Sequence, residues 1–250
     1  GATISINSNA LTDEVQGDSG RQTGAVGRFE QYDLNQGPLV RENRISDTVG
    51  GDSEVGSQFD IVVTYDSDVP SNIVTAVDTA IARWEEIIVG DLSDQVYQGT
   101  PVDDLWINVQ ATLFPGHGPT TIANAGAREP RRSDTDANRY LPMYGEVGFD
   151  VAGEFGGGRL DEPLYAFDVA VHEIGHILGF QPGTIGDFGY QDQNLDYVFD
   201  GNALREYRKV APGAQVIPMD GGSHWDLATF GTEVMVPSIG NDRMPISTIS

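Results

Sequence analysis

Apolar residues begin to recur regularly at Phe59. In "FDIVVTYD" (Phe59–Asp66), Ile61, Val63 and their apolar neighbours predict a strand. In "VPSNIVTAVDTAIARWEEIIVGDL", Ile73, Val77, Ile81, Trp84, Ile87 and Ile88 fall at helical steps and predict an amphipathic helix, with Trp84 a core residue. "DDLWINVQATLF" (Asp103–Phe114) alternates Leu105, Ile107, Val109 and Ala111 as a second strand. "TTIANAGAR" is a third and "GEVGFDVA" (Gly145–Ala152) a fourth, before the Gly-rich loop "GEFGGGRL". A second helix is predicted over "LYAFDVAVHEIGHILGF". Phe167, Ala170, Val171, Ile174 and Leu178 make its apolar face, "DEP" (Asp161–Pro163) supplies a start, and Gly179 and Pro182 a stop. This order predicts an α+β fold, with one mixed sheet backed by helices. The chain has no internal repeat.

Residues 1–57 differ in kind. They are rich in Gly, Asn, Asp, Ser and Gln, with few apolar runs, and read as a polar leader, a linker or a pro-segment. The chain opens at Gly1 with neither an initiator Met nor a charged-then-apolar leader, so the sequence reads as a processed or trimmed piece. Its 38 acidic against 14 basic side chains, net −24, argue against nucleic acid and anionic membrane surfaces as partners. No run approaches the length of a membrane span. The absence of cysteine excludes disulfides and thiolate metal sites.

Chemistry concentrates in the second helix. His172, Glu173 and His176 form an H-E-x-x-H pattern, in which two histidines one helical turn apart reach a single metal ion. Half of the chain's four histidines sit in it. Zinc lowers the pKa of a water to about 7, and an adjacent carboxylate can take the proton and later protonate a departing amine. That combination serves peptide-bond hydrolysis. Such a site needs a third protein ligand, yet Pro182 stands where one might follow Gly179. The residues alone leave three candidates: His117 in a Gly/Pro loop, His224 in "GGSHWDLATFGTEVMVPSI", and a carboxylate such as Asp196 in "QNLDYVFDGN".

These motifs together resemble the metzincin zinc peptidases, and among them the leishmanolysin family, over about Phe59 to Ser250. "FDIVVTYD" and "ARWEEIIVGDLSD" are similar to the strand and helix that open bacterial members. His224, Trp225 and Asp226 match the family's His-Trp-acid step, with Asp where Glu is usual. "FGTEVM" (Phe230–Met235) matches its Phe-Gly-Asn-Glu-Leu-Met stretch, and "DGNALREY" a helix of its insertion. The cysteine-rich pattern of eukaryotic members is missing, so the bacterial branch is closer.

The resemblance implies a twisted mixed sheet with a backing helix and an active-site helix over residues 58–180, then a mostly irregular C-terminal subdomain over 181–250. It implies a zinc ion (Zn2+) held by His172, His176 and His224, with Glu173 as general base and then acid and Met235 as the Met-turn residue. It further implies an extracellular endopeptidase acting on protein or peptide substrates, and a further helix after "MPISTIS". By the same resemblance, "GEVGFDVA" is the sheet edge that pairs with an extended substrate.

Other expectations are open. Asp192, Asn194 and Asp196 begin like a calcium (Ca2+) loop, but Tyr197 and Ala203 replace its required Gly and Glu, and "DTDANRY" (Asp134–Tyr140) fails similarly. Asp13, Asp18, Asp33, Asp47 or Asp52 of the leader are the acids available to hold a zinc latent. Against the peptidase stand a non-catalytic binding or structural module that keeps the fold, and a zincin whose third ligand is Asp or Glu.

Overall fold

A strand with one face inside and one outside needs alternating side chains, and the chain meets this condition from Ile61 onward. The computed structural model describes residues 59–88, 90–116, 118, 120–131, 141–153, 158–181, 189–191, 197–199, 202–239 and 244–246. Residues 1–57, His117, Asp192, Asn194, Asp196 and residues 134–140 lie outside these described residues. Two units are distinguishable, divided between Gly179 and Phe180.

The first unit runs β1 (Ile61–Tyr65), α1 (Ser71–Ile87), β2 (Gln95–Tyr97), β3 (Thr100–Val102), β4 (Leu105–Gln110), β5 (Ala123–Pro130), β6 (Pro142–Phe149) and α2 (Pro163–Leu178). Its four-stranded sheet has the order β1-β4-β6-β5. Strands β1, β4 and β6 are parallel, and β5 is antiparallel to β6. The fold is therefore α+β with a mixed sheet. In β4, Leu105, Ile107 and Val109 are buried while Trp106, Asn108 and Gln110 are partly exposed. All six residues that predicted the first helix are buried. Trp84 does more than pack, because its Nε1 donates to the Val171 carbonyl at 3.1 Å and so ties α1 to α2.

Two corrections follow from the strand pairings. The segment expected to form the substrate-facing edge lies in β6, which is paired on both sides, by β4 and by β5. Strand order is a long-range property that local alternation does not encode, and among the described residues the edge next to β6 belongs to β5. The hairpin β2–β3 is absent from the pattern of side chains. Its two turn residues, Gln98 and Gly99, have φ of 49° and 84°, a primed turn whose twist suits a tight hairpin. Gln-Gly is a weaker signal of that turn than Asn-Gly, and three-residue strands carry no periodicity.

Asp104, fully buried, gathers the chain at one end of the sheet. Its Oδ2 accepts from Asp60 N at 2.7 Å and its Oδ1 from Leu92 N at 2.6 Å. Buried Arg131 donates to the carbonyls of Ser93, Asp103 and Asp104.

The second unit contains the antiparallel pair β7 (Gly189–Gln191) and β8 (Tyr197–Phe199), and α3 (Asn202–Val210). The antiparallel pair β9 (Met219–Asp220) and β10 (His224–Trp225) follows, and then the short α4 (Leu227–Phe230). Its core forms around Trp225, whose ring lies 4.5 Å from that of Phe180 and 5.4 Å from that of Phe230, with Ile217, Val234 and Val236 also buried. Among the described residues no helix is long and apolar enough to cross a membrane.

Gly145 on β6 permits the approach of α2. A Cβ there would lie 2.4 Å from Ile177 Cγ2, inside van der Waals contact. Gly145→Ala is expected to destabilise the protein by about 1–3 kcal/mol through overpacking, read as a lower urea midpoint at unchanged slope. An unchanged midpoint would mean that Ile177 yields without cost.

Candidate metal centre

Helix α2 starts after Glu162, whose extended backbone precedes Pro163 at the first turn. It stops at Gly179, where φ of 130° suits a residue without a side chain. The sequence predicted one apolar face, but α2 is buried from Tyr165 through Ile177. Asp168, His172, Glu173 and His176 are therefore inside the protein with the apolar residues. Four polar side chains on this buried stretch of helix cost desolvation, and such groups are retained when they are paired or bind an ion.

His172 and His176 converge. Their Nε2 atoms lie 3.1 Å apart and the rings are perpendicular, with centroids 4.7 Å apart. Two nitrogens bound at about 2.0–2.1 Å to one tetrahedral ion would be about 3.3 Å apart. The observed spacing fits one edge of that tetrahedron.

His224 comes from β10, where it pairs with Asp220 across to β9. Its Nδ1 meets Ser223 Oγ at 3.2 Å. With Nδ1 protonated and donating to that oxygen, Nε2 carries the lone pair a metal needs. The next two residues fix the strand. Trp225 N donates to the Met235 carbonyl at 2.8 Å, and Asp226 Oδ1 caps α4 by accepting from Thr229 N at 2.9 Å.

His172, His176 and His224 each offer a ligand atom, and these atoms all lie within 4.8 Å of one another, so the three form a group that can hold a metal ion. Three imidazoles suit zinc, copper, iron or nickel better than the oxygen-seeking calcium or magnesium. The donor set thus fits the expected class of metal. Of the other candidate ligands, His117 and Asp196 lie outside the described residues.

Glu173 is fully buried next in sequence to His172, and burial pushes its carboxyl up to about 8. A cation close to the carboxylate would draw it back down. Met235 is buried as well, and its N–H donates to Glu233 Oε2 at 2.7 Å. Burial of Glu233 leaves no mark on the pattern of side chains, since a lone carboxylate in a loop is ordinarily solvated.

A second group, Asp91, Asp103 and Asp104, also brings ligand atoms within 4.8 Å. The sequence does not show this group, because the β2–β3 hairpin separates Asp91 from the other two. Burial raises Asp103 to about 6 and Asp104 to about 7, and the neighbouring carboxylates add to both. Asp104 already serves two backbone N–H groups, so the cluster acts as a chain tie.

No protein-family model matches this chain, and no curated protein matches it.

In the metal-free protein, Glu173 keeps its proton to about pH 8, whereas an unfolded glutamate releases it near 4.5. The folded state therefore binds more protons in between. The contribution to stability is fully present below about 4.5 and is lost as pH rises through about 8. Between pH 5 and pH 8, chelator-treated wild type is expected to lose more thermal stability than chelator-treated Glu173→Gln. Equal losses would show that Glu173 is already ionised at pH 5.

Proposed function

We propose that this chain is a zinc-dependent endopeptidase of the leishmanolysin-like metzincin type, acting on protein or peptide substrates in an extracellular setting. The observation that carries the proposal is the group of His172, His176 and His224, with the buried carboxylic acid of Glu173 on the same helical turn as two of them. In this reading, the three imidazoles hold the metal through ring nitrogens. Zinc would supply Lewis acidity, acidifying a water and polarising a substrate carbonyl. Glu173 takes the proton of the attacking water on its carboxylate oxygen. It then delivers that proton to the leaving amine nitrogen as the peptide bond breaks. The burial of α2 supports the assignment, because proton transfer from a site shielded from bulk water is directed to the substrate. Met235 lines the buried turn bonded to Trp225, next to His224.

Two measurements test the proposal. Metal analysis is expected to find close to one zinc per chain in wild type and much less in His224→Ala. Zinc retained equally in both would move the third ligand to a carboxylate. Glu173→Gln is expected to keep its zinc and lose about 10²–10⁴-fold in cleavage of casein. Persistent cleavage would remove Glu173 from its role. Zinc binding without any chelator-sensitive cleavage in wild type would leave a binding module.

A further inference from the structure

We infer that Glu233 is a positioning residue for His224, acting through the backbone of Met235; the inference rests on the metal-site reading above. Glu233 is fully buried, in a stretch where Phe230, Val234, Met235 and Val236 are buried too. A carboxylate in such surroundings is costly unless its oxygens accept hydrogen bonds. Its Oε2 accepts from Met235 N at 2.7 Å, a short bond that closes the chain on itself over two residues. The Glu233 carbonyl meanwhile accepts from Val236 N at 3.3 Å, and Val234 N donates to the Pro245 carbonyl at 2.9 Å.

The Met235 peptide units are thus held at both ends. The N–H is fixed by the Glu233 carboxylate, and the carbonyl accepts from Trp225 N, the residue after His224. β10 is only two residues long and its partner β9 is equally short, so the sheet alone gives His224 little support. The tie to Met235 supplies a further fixed point one residue away. With Glu233 removed, the turn is free to reorient its N–H and carbonyl, and the registration of His224 goes with it. Loss of an outer partner of a metal ligand typically costs 10–100-fold in metal affinity.

The test uses the whole chain loaded with cobalt(II), whose visible absorption reports the number and geometry of its ligands. Wild type, His224→Ala, Glu233→Ala, Glu233→Gln and Glu233→Asp are compared for spectrum and cobalt affinity. Glu233→Ala is expected to shift the spectrum towards that of His224→Ala and to weaken cobalt binding on the order of tenfold to a hundredfold. Glu233→Gln keeps an oxygen at the same reach and is expected to restore both. Should Glu233→Ala fail to fold, Gln and Asp decide. A native spectrum with Gln and a shifted one with the shorter Asp support the inference, and the reverse overturns it. A spectrum that depends on His224 but not on Glu233 overturns this inference alone. A wild-type protein that takes up no cobalt, or one indistinguishable from His224→Ala, overturns the metal-site reading and the inference with it.

Discussion

Burying a helix that carries two imidazoles and two carboxyl groups is the constraint from which the rest of the first unit follows. Such a helix cannot be covered by a flat apolar surface alone, because its backbone and polar side chains must keep their partners inside. The chain meets this with a second helix and a strand chosen for close approach. Trp84 brings a large apolar ring and one N–H, and it spends that N–H on a carbonyl of the motif helix itself. Gly145 removes a side chain where Ile177 must sit. The sheet, with Leu105, Ile107 and Val109 turned inward on its central β4, completes the buried side. That buried support holds the two Nε2 atoms 3.1 Å apart, within hydrogen-bond reach of each other.

The second unit solves a different problem with less regular structure. Its described strands are two or three residues long, so hydrogen-bonded ladders contribute little. Order comes from a single large side chain, Trp225, wrapped by Phe180 and Phe230, and from main-chain bonds that run between loops. Asp226 caps α4 directly after it. Candidate ligand, aromatic anchor and helix cap thus occupy three consecutive residues, 224 to 226. This economy fixes the segment by side-chain packing and a cap rather than by a sheet.

What the sequence made legible was whatever is local. Ile73, Val77, Ile81 and Trp84 announce α1 by spacing, and Leu105, Ile107 and Val109 announce β4 by alternation. His172, Glu173 and His176 are likewise legible, since one helical turn carries all three. His224 is different in kind. Nothing in the intervening residues distinguished it from Asp196 or His117, and only a resemblance over many motifs singled it out. The position of β6 inside the sheet, the Gln98–Gly99 turn and the buried roles of Asp104 and Glu233 were not legible. Each depends on partners far along the chain or on a backbone N–H, and neither leaves a mark on the pattern of side chains.

The Asp104 tie has a consequence for how the first unit comes apart. One carboxylate fastens the amides of Asp60 and Leu92, and Arg131 adds the carbonyls of Ser93, Asp103 and Asp104. Segments that enter β1, leave α1, enter β4 and follow β5 therefore meet at one point. Peeling one of them away while the others stay is costly, because its release leaves a buried polar group without its partner. Local fraying at that end of the sheet is converted into an all-or-none event. The amide protons of Asp60 and Leu92 are accordingly expected among the slowest of the unit to exchange.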